Sequence, residues 1–180
     1  TPDTWEKETI NMKEVVKKYG KRKGQTMFPA SHDITENNLD ACCEVLTSLL
    51  EAGNRVLVVS KPRIKCIKGV CDKFGDFKSQ ILFRFTIGSA HDHILKFWEP
   101  NAPAYLERIS SLVLAYTLGF ETSVSCEPML DYDINKVVND VLPYVTDAIW
   151  IGKANDLINR LTINGFGENN IMYKIIQKRK

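Results

Sequence analysis

The chain has 180 residues, of which 44% are hydrophobic and 26% charged, and a formal net charge of +2. That length supports one domain with a proper core, and the composition excludes a disordered chain. No apolar stretch approaches the roughly 20 residues of a membrane-spanning helix and the opening residues do not read as a signal peptide, so a cytoplasmic protein without a membrane partner is expected.

Residues 1–24 form a polar lead-in where Lys17, Lys18, Lys21, Arg22 and Lys23 cluster, and Lys178 to Lys180 make a second basic group. Solvated surface is the plain reading of both groups and nucleic-acid contact the sharper one. The remainder, 25–180, reads as a single domain of about five βα units. Its strands are expected in TMFPAS from Thr26, RVLVVSK from Arg55, ILFRFTIGS from Ile81, ETSVSCEP from Glu121 and DAIWIGK from Asp147.

Between them lie helix patterns. From Thr35, a capping threonine, Leu39, Cys42, Cys43, Leu46, Leu49 and Leu50 recur at helical spacing, and Gly53 stops the run. A second helix is expected from Ile64 to Phe74 and a third from Pro103 to about Leu118, ended by Gly119. A fourth carries Ile134, Val137, Val138 and Val141 on one face. A further helical piece is expected around 154–161, and 171–178 reads as helix or strand.

Strand and helix alternating at this spacing predict parallel strands joined by right-handed crossovers. Successive side chains of a strand point to opposite faces. Ile81, Phe83, Phe85 and Ile87 therefore share one side of the third strand, while Leu82, Arg84 and Thr86 share the other. In the fourth strand Val124 and Cys126 oppose Glu121, Ser123, Ser125 and Glu127. A partly polar inner face predicts a partial, open TIM-like barrel whose lumen meets water or ligand. A doubly wound sheet, the rival, is covered by helices on both faces and should not bear Arg84 or Glu127 there.

Ligands of parallel sheets bind beyond the carboxyl ends of the strands. Those ends carry Ser31, His32 and Asp33; Ser60, Lys61 and Arg63; Thr86, Gly88 and Ser89; Glu127 and Pro128; and Lys153 and Asn155. Lysine beside arginine, with hydroxyls and a carboxylate, suits a polar ligand bearing both an anionic and a cationic group. Arg84 and Glu127 are candidates for ligand contact or for an internal ion pair. His32 is expected to be satisfied by Asp33, His91 and His93 to flank Asp92 in a loop without forming a metal site, and Trp98 to anchor a loop. The five cysteines read as reduced thiols; Cys66 and Cys71 lie about 140° apart around a helix, and Cys126 faces the helices.

The segments MFPASHDIT, VLVVSKPRI, ILFRFTIGSA, FWEPNAPAYLERI and SVSCEPMLD, in this order, resemble the radical S-adenosylmethionine (SAM) superfamily near its spore photoproduct lyase and DNA repair photolyase-like branch, over about Lys21 to Asn155. The resemblance implies a partial barrel, SAM as cofactor, and a four-iron, four-sulfur cluster on a CxxxCxxC motif after the first strand. It suggests a nucleic-acid lesion as substrate. Carried over by position, Ser31 corresponds to a contact with the methionine amino group, Lys61 to one with the SAM carboxylate or ribose, and Thr86 to a ribose contact. Arg84, Ser125 and Glu127 fall on the same polar face. AIWIGKAN is only partly like the adenine-side GxIxGxxE pattern, with Ala148 and Asn155 at its ends. CxxxCxxC itself is missing, and the first strand resembles the family's second, so the cluster is expected in a longer parent chain. A cluster-less binding scaffold, and a lyase or isomerase using Lys61 or Lys153, are the alternatives.

Overall fold

The structure, a computed structural model, describes residues 9–131, 133–153, 159, 162 and 163. Asn155, most of the helical piece expected around 154–161 and the segment 171–178 lie outside the described residues.

In chain order the elements are α1 (Met12–Val15), β1 (Gln25–Phe28), α2 (Leu39–Glu51), β2 (Arg55–Ser60), α3 (Ile64–Lys73), a 3₁₀ turn (Gly75–Gln80), β3 (Ile81–Thr86), α4 (Asp92–Trp98), α5 (Tyr105–Thr117), β4 (Glu121–Cys126), α6 (Ile134–Val141), a second 3₁₀ turn (Leu142–Tyr144) and β5 (Ile149–Ile151). The five strands form one all-parallel sheet in the order β1-β2-β3-β4-β5. Each crossover steps to the adjacent strand. The order never reverses, so the switch point that defines a doubly wound sheet does not occur among these strands.

Local chemistry explains where the helices end. Gly53 and Gly119 adopt φ of 76° and 82°, which a Cβ disfavours. At the first, Gly53 N–H donates to the Leu50 carbonyl and Asn54 N–H to that of Leu49; Gly119 and Phe120 repeat the pattern on Tyr116 and Ala115. Each pair closes its helix and turns the chain directly into a strand. Asn54, fully buried, also accepts from Arg22 N–H at 2.7 Å and donates to the Gly20 carbonyl, tying the basic lead-in to the start of β2.

One contiguous core joins α2, α3, α5 and α6 to a single face of the sheet. The strands contribute Val56, Val58, Ile81, Phe83, Phe85, Val124 and Cys126 to it. Leu57 and Leu82 are also buried, at 8% and 6% exposure, yet stand outside that cluster, because they occupy the opposite face. Two features close over Leu82 there. Arg55 of β2 donates to Glu121 of β4 at 2.9 Å across the intervening strand, a span of about 9.5 Å in a flat sheet. Gln25, Arg55, Leu82, Glu121, Thr146 and Asp147, from the amino ends of all five strands, line one cavity of about 600 Å³.

Several expectations need correction. Helix α2 starts at Leu39 and not at Thr35, because Thr35 N–H and Asn38 N–H are spent in a local turn on Asn38 Oδ1 and the Thr35 carbonyl. Asp92 and His93 open helix α4, with His91 as its N-cap, where a loop was expected. Among the described residues, no helix is long and apolar enough to cross a membrane.

Candidate functional site

The carboxyl ends of β1 to β4 present the polar side chains in rows set by the register. Val59, Arg84 and Ser123 are direct neighbours across β2, β3 and β4, and Thr86 pairs with Ser125 one pleat further on. Ser60 pairs with Phe85, so Lys61 leaves β2 beside Thr86. Thus Thr86 and Ser125 pair on the face away from the core, and Lys61 directly follows the last residue of β2. Ser125 is 8% exposed and Thr86 half-buried.

Lys61 is the most constrained of them. Its ammonium lies 3.4 Å from Asp33 Oδ2 and 3.9 Å from Glu99 Oε1, and its backbone N–H donates to Asp33 Oδ1 at 2.7 Å. Asp33 Oδ1 also accepts from the Ser60 hydroxyl. The Asp33 carboxylate thus belongs to β2, and His32 does not rest on it. His32 is exposed, places Nε2 3.8 Å from Cys42 Sγ and meets the edge of Phe28. Ser31 sits exposed in the same loop.

His32, Asp33, Lys61, Arg63, Trp98 and Glu99 help line a cavity of about 940 Å³ between the loops after β1, β2 and α4. Its charges are mixed: two cations face Asp33, Glu36 and Glu99. Arg63 is tied to the Asn101 carbonyl at 2.6 Å and lies 3.8 Å from Glu36. Trp98 is half-buried in the wall, edge-to-face with Phe97, and is the last residue of α4 and not part of a loop as expected.

Arg84 does not pair with Glu127. Its Nε donates to Ser123 Oγ at 3.1 Å, its Nη2 lies 3.4 Å from Asp147, and its guanidinium stacks over Trp150 at 4.9 Å. This residue therefore draws β3, β4 and β5 together on the face away from the core. Glu127 is exposed instead and closes against Gly152, where a Cβ would meet its carboxylate and the side-chain carbons behind it. Lys153 is exposed.

Sequence reasoning missed Glu99 and Arg108. Arg108 is fully buried on the stripe of α5 that also carries Tyr105, Ser111, Leu112 and Ala115. An arginine on an otherwise core-facing stripe was the signal that would have found it.

The described residues do not fit an iron–sulfur cluster. No group of three or more His, Cys, Asp or Glu able to hold a metal occurs among them, and all five cysteines are free and buried. Burial pushes Cys66 up to about 11 and Cys71 and Cys126 up to about 12, so the thiolates that bind metals are disfavoured. The polar groups at these strand ends, hydroxyls at Thr86 and Ser125 and a Lys61 ammonium held near two carboxylates, are of the kinds a small zwitterionic ligand requires.

No family model matches the chain, and neither a curated protein nor a solved structure matches it.

Proposed function

We propose that this chain is the SAM-binding portion of a radical SAM iron–sulfur enzyme. The observation that carries the reading is the gathering of Lys61, directly after β2, and of the paired Thr86 and Ser125 at the carboxyl ends of adjacent parallel strands. Ligands of such sheets bind there. In support of a curled sheet, an open partial TIM-like barrel, the strand order is sequential, the core takes one face only, and the amino ends of all five strands line a single cavity.

In this reading Lys61 meets the ligand's carboxylate, Asp33 and Glu99 hold that lysine, and the hydroxyls of Ser31, Thr86 and Ser125 orient the ribose and amino groups. Arg84, through Ser123 and Asp147, keeps the floor of the site polar. SAM, when bound, supplies the sulfonium whose cleavage yields a carbon radical in this superfamily. The cluster ligands belong to a segment outside this sequence, and the lyase-type outcome on a nucleic-acid lesion belongs to that longer enzyme.

Calorimetric titration of the 180-residue chain with SAM and with S-adenosylhomocysteine tests the reading. Saturable one-to-one binding is expected, weakened about tenfold or more by Lys61→Met because a charge-assisted contact is worth about 1.5–3 kcal/mol. An absence of heat and of any Tm shift at millimolar ligand would overturn it.

A further inference from the structure

Arg108 carries a formal charge into the core with none of its side chain exposed. Such a charge costs several kcal/mol unless it is compensated. Its Nε donates to the Pro103 carbonyl at 2.8 Å and its Nη1 to the Thr86 carbonyl at 3.1 Å; Nη1 also lies 2.7 Å from Glu99 Oε2. The second oxygen of Glu99 lies 3.9 Å from Lys61 Nζ, and Lys61 in turn contacts Asp33. Charges therefore alternate from Arg108 through Glu99 and Lys61 to Asp33, from the fully buried interior out to the mouth of the cavity.

The same guanidinium touches Thr86 directly and reaches Lys61 through one carboxylate. These are the two neighbouring strand ends that the proposed SAM site uses, and the inference rests on that reading. The pair is also poorly satisfied. Glu99 Oε2 lies close to Nη1 but off the direction of its N–H bonds, so it receives no hydrogen bond, and Arg108 Nη2 has no partner among the described residues. A pair serving stability alone is replaceable by apolar side chains at little or no cost, and the unpartnered Nη2 adds to its disadvantage. Setting a charge where a ligand needs it accounts for such a pair.

We propose that Glu99, clamped by Arg108, is a positioning residue: it fixes the Lys61 ammonium relative to Thr86 so that both meet one ligand carrying a carboxylate. Neither Arg108 nor the buried oxygen of Glu99 touches the ligand. A double-mutant cycle on the 180-residue chain tests this, with SAM as the calorimetric probe and Tm as the control for folding. Glu99→Gln and Lys61→Met should each weaken SAM binding about tenfold, and the double variant also about tenfold, because Glu99 acts only through Lys61. A hundredfold, additive loss overturns the inference, as does unchanged affinity in either single variant. Should Glu99→Gln not fold, Glu99→Asp keeps a counter-charge for Arg108 while withdrawing it from Lys61. A several-fold loss that vanishes in the Lys61→Met background then supports the proposal, and unchanged affinity defeats it. If the unaltered chain does not bind SAM, the functional reading falls and this inference with it; if SAM binds and the losses add, only this inference falls.

Discussion

The two faces of the same sheet are built to opposite specifications. On the helix-covered face, Phe83, Phe85 and Val124 are completely buried, and Phe83 meets Phe85 and Phe120 with ring centroids 5.3 Å apart. One residue along the chain, Arg84 turns the other way and spends its guanidinium on Ser123, Asp147 and the face of Trp150. A side-chain period of two allows one six-residue strand to present an apolar face to the core and a partly polar face away from it. Cohesion resides chiefly in the first face, while the second mixes the buried Leu57, Leu82 and Ser123 with the partly exposed Arg84 and Thr86.

The sharpest way to break this comparison is to remove a ring from the dry face. Phe83→Ala should cost about 3–5 kcal/mol in urea unfolding, since the surrounding aromatic cluster leaves a cavity that collapses only partly. A loss below about 1 kcal/mol would mean that the covered face does not hold the fold.

Thiol chemistry sharpens the same contrast without mutation. Cys126 sits at the end of β4 on the dry face, and burial, helped by Asp131 and then Glu127, pushes it up to about 12. At pH 8 its thiolate population falls about a thousandfold relative to an ordinary thiol at 9. Cys126 should therefore resist iodoacetamide at pH 8 in the folded chain and react once urea unfolds it, as followed by peptide mass spectrometry. Rapid labelling of the native protein would show the helical layer to be open.

How much of this was legible in the sequence follows from the two kinds of pattern. All five strands were readable because apolar runs repeat locally, and the faces of β3 and β4 followed from alternation alone. Helix α4 was hidden: DHILKFW is one short stretch between His91 and Glu99 with a single fully buried residue, Leu95, so its periodicity is too brief to register. Site partners were hidden for another reason. Lys61 and Thr86 stood out as strand ends, but Glu99 and Arg108 come from α4 and α5, and only folding brings them to Lys61. Likewise Asp147 and not Glu127 meets Arg84, because Asp147 sits in the bend two residues before β5, 3.4 Å from the guanidinium, which no spacing along the chain reveals.

A smaller effect bears on how the helical layer is pinned. Tyr105 on α5 donates its hydroxyl to Asp140 on α6 at 2.8 Å, and Lys136 bonds the same oxygen. Lys136 first, then Tyr105, hold the Asp140 carboxyl below its usual range, while burial and then Asp140 raise the Tyr105 phenol. A depressed carboxyl contributes stability above its unfolded value near pH 4, and that contribution fades as pH falls through the folded value; a raised phenol contributes below pH ~10 and fades as pH rises. Asp140→Asn should therefore lower the urea midpoint slightly at pH 7 and by less at pH 3. An equal deficit at both values would assign the loss to shape and not to charge.

The smallest stability change is expected where the consequence for function is largest. Arg84 is 20% exposed and its ion-pair partner Asp147 is 45% exposed, so the pair contributes no more than about 1 kcal/mol. Methionine in its place keeps a flexible apolar stem that can still cover Trp150. Arg84→Met should thus unfold within about 1 kcal/mol of the unaltered chain in urea. Ser123 would lose its bond to Nε but keep the one it donates to the Ala148 carbonyl at 2.7 Å, leaving the strands in register. If the wet face exists to hold a ligand, SAM affinity should nevertheless drop several-fold, because the cationic floor beneath Thr86 and Ser125 is gone. Unchanged binding with a clear loss of stability would reverse the assignment: Arg84 would then be a brace between β3 and β5, and the polarity of this face a matter of architecture.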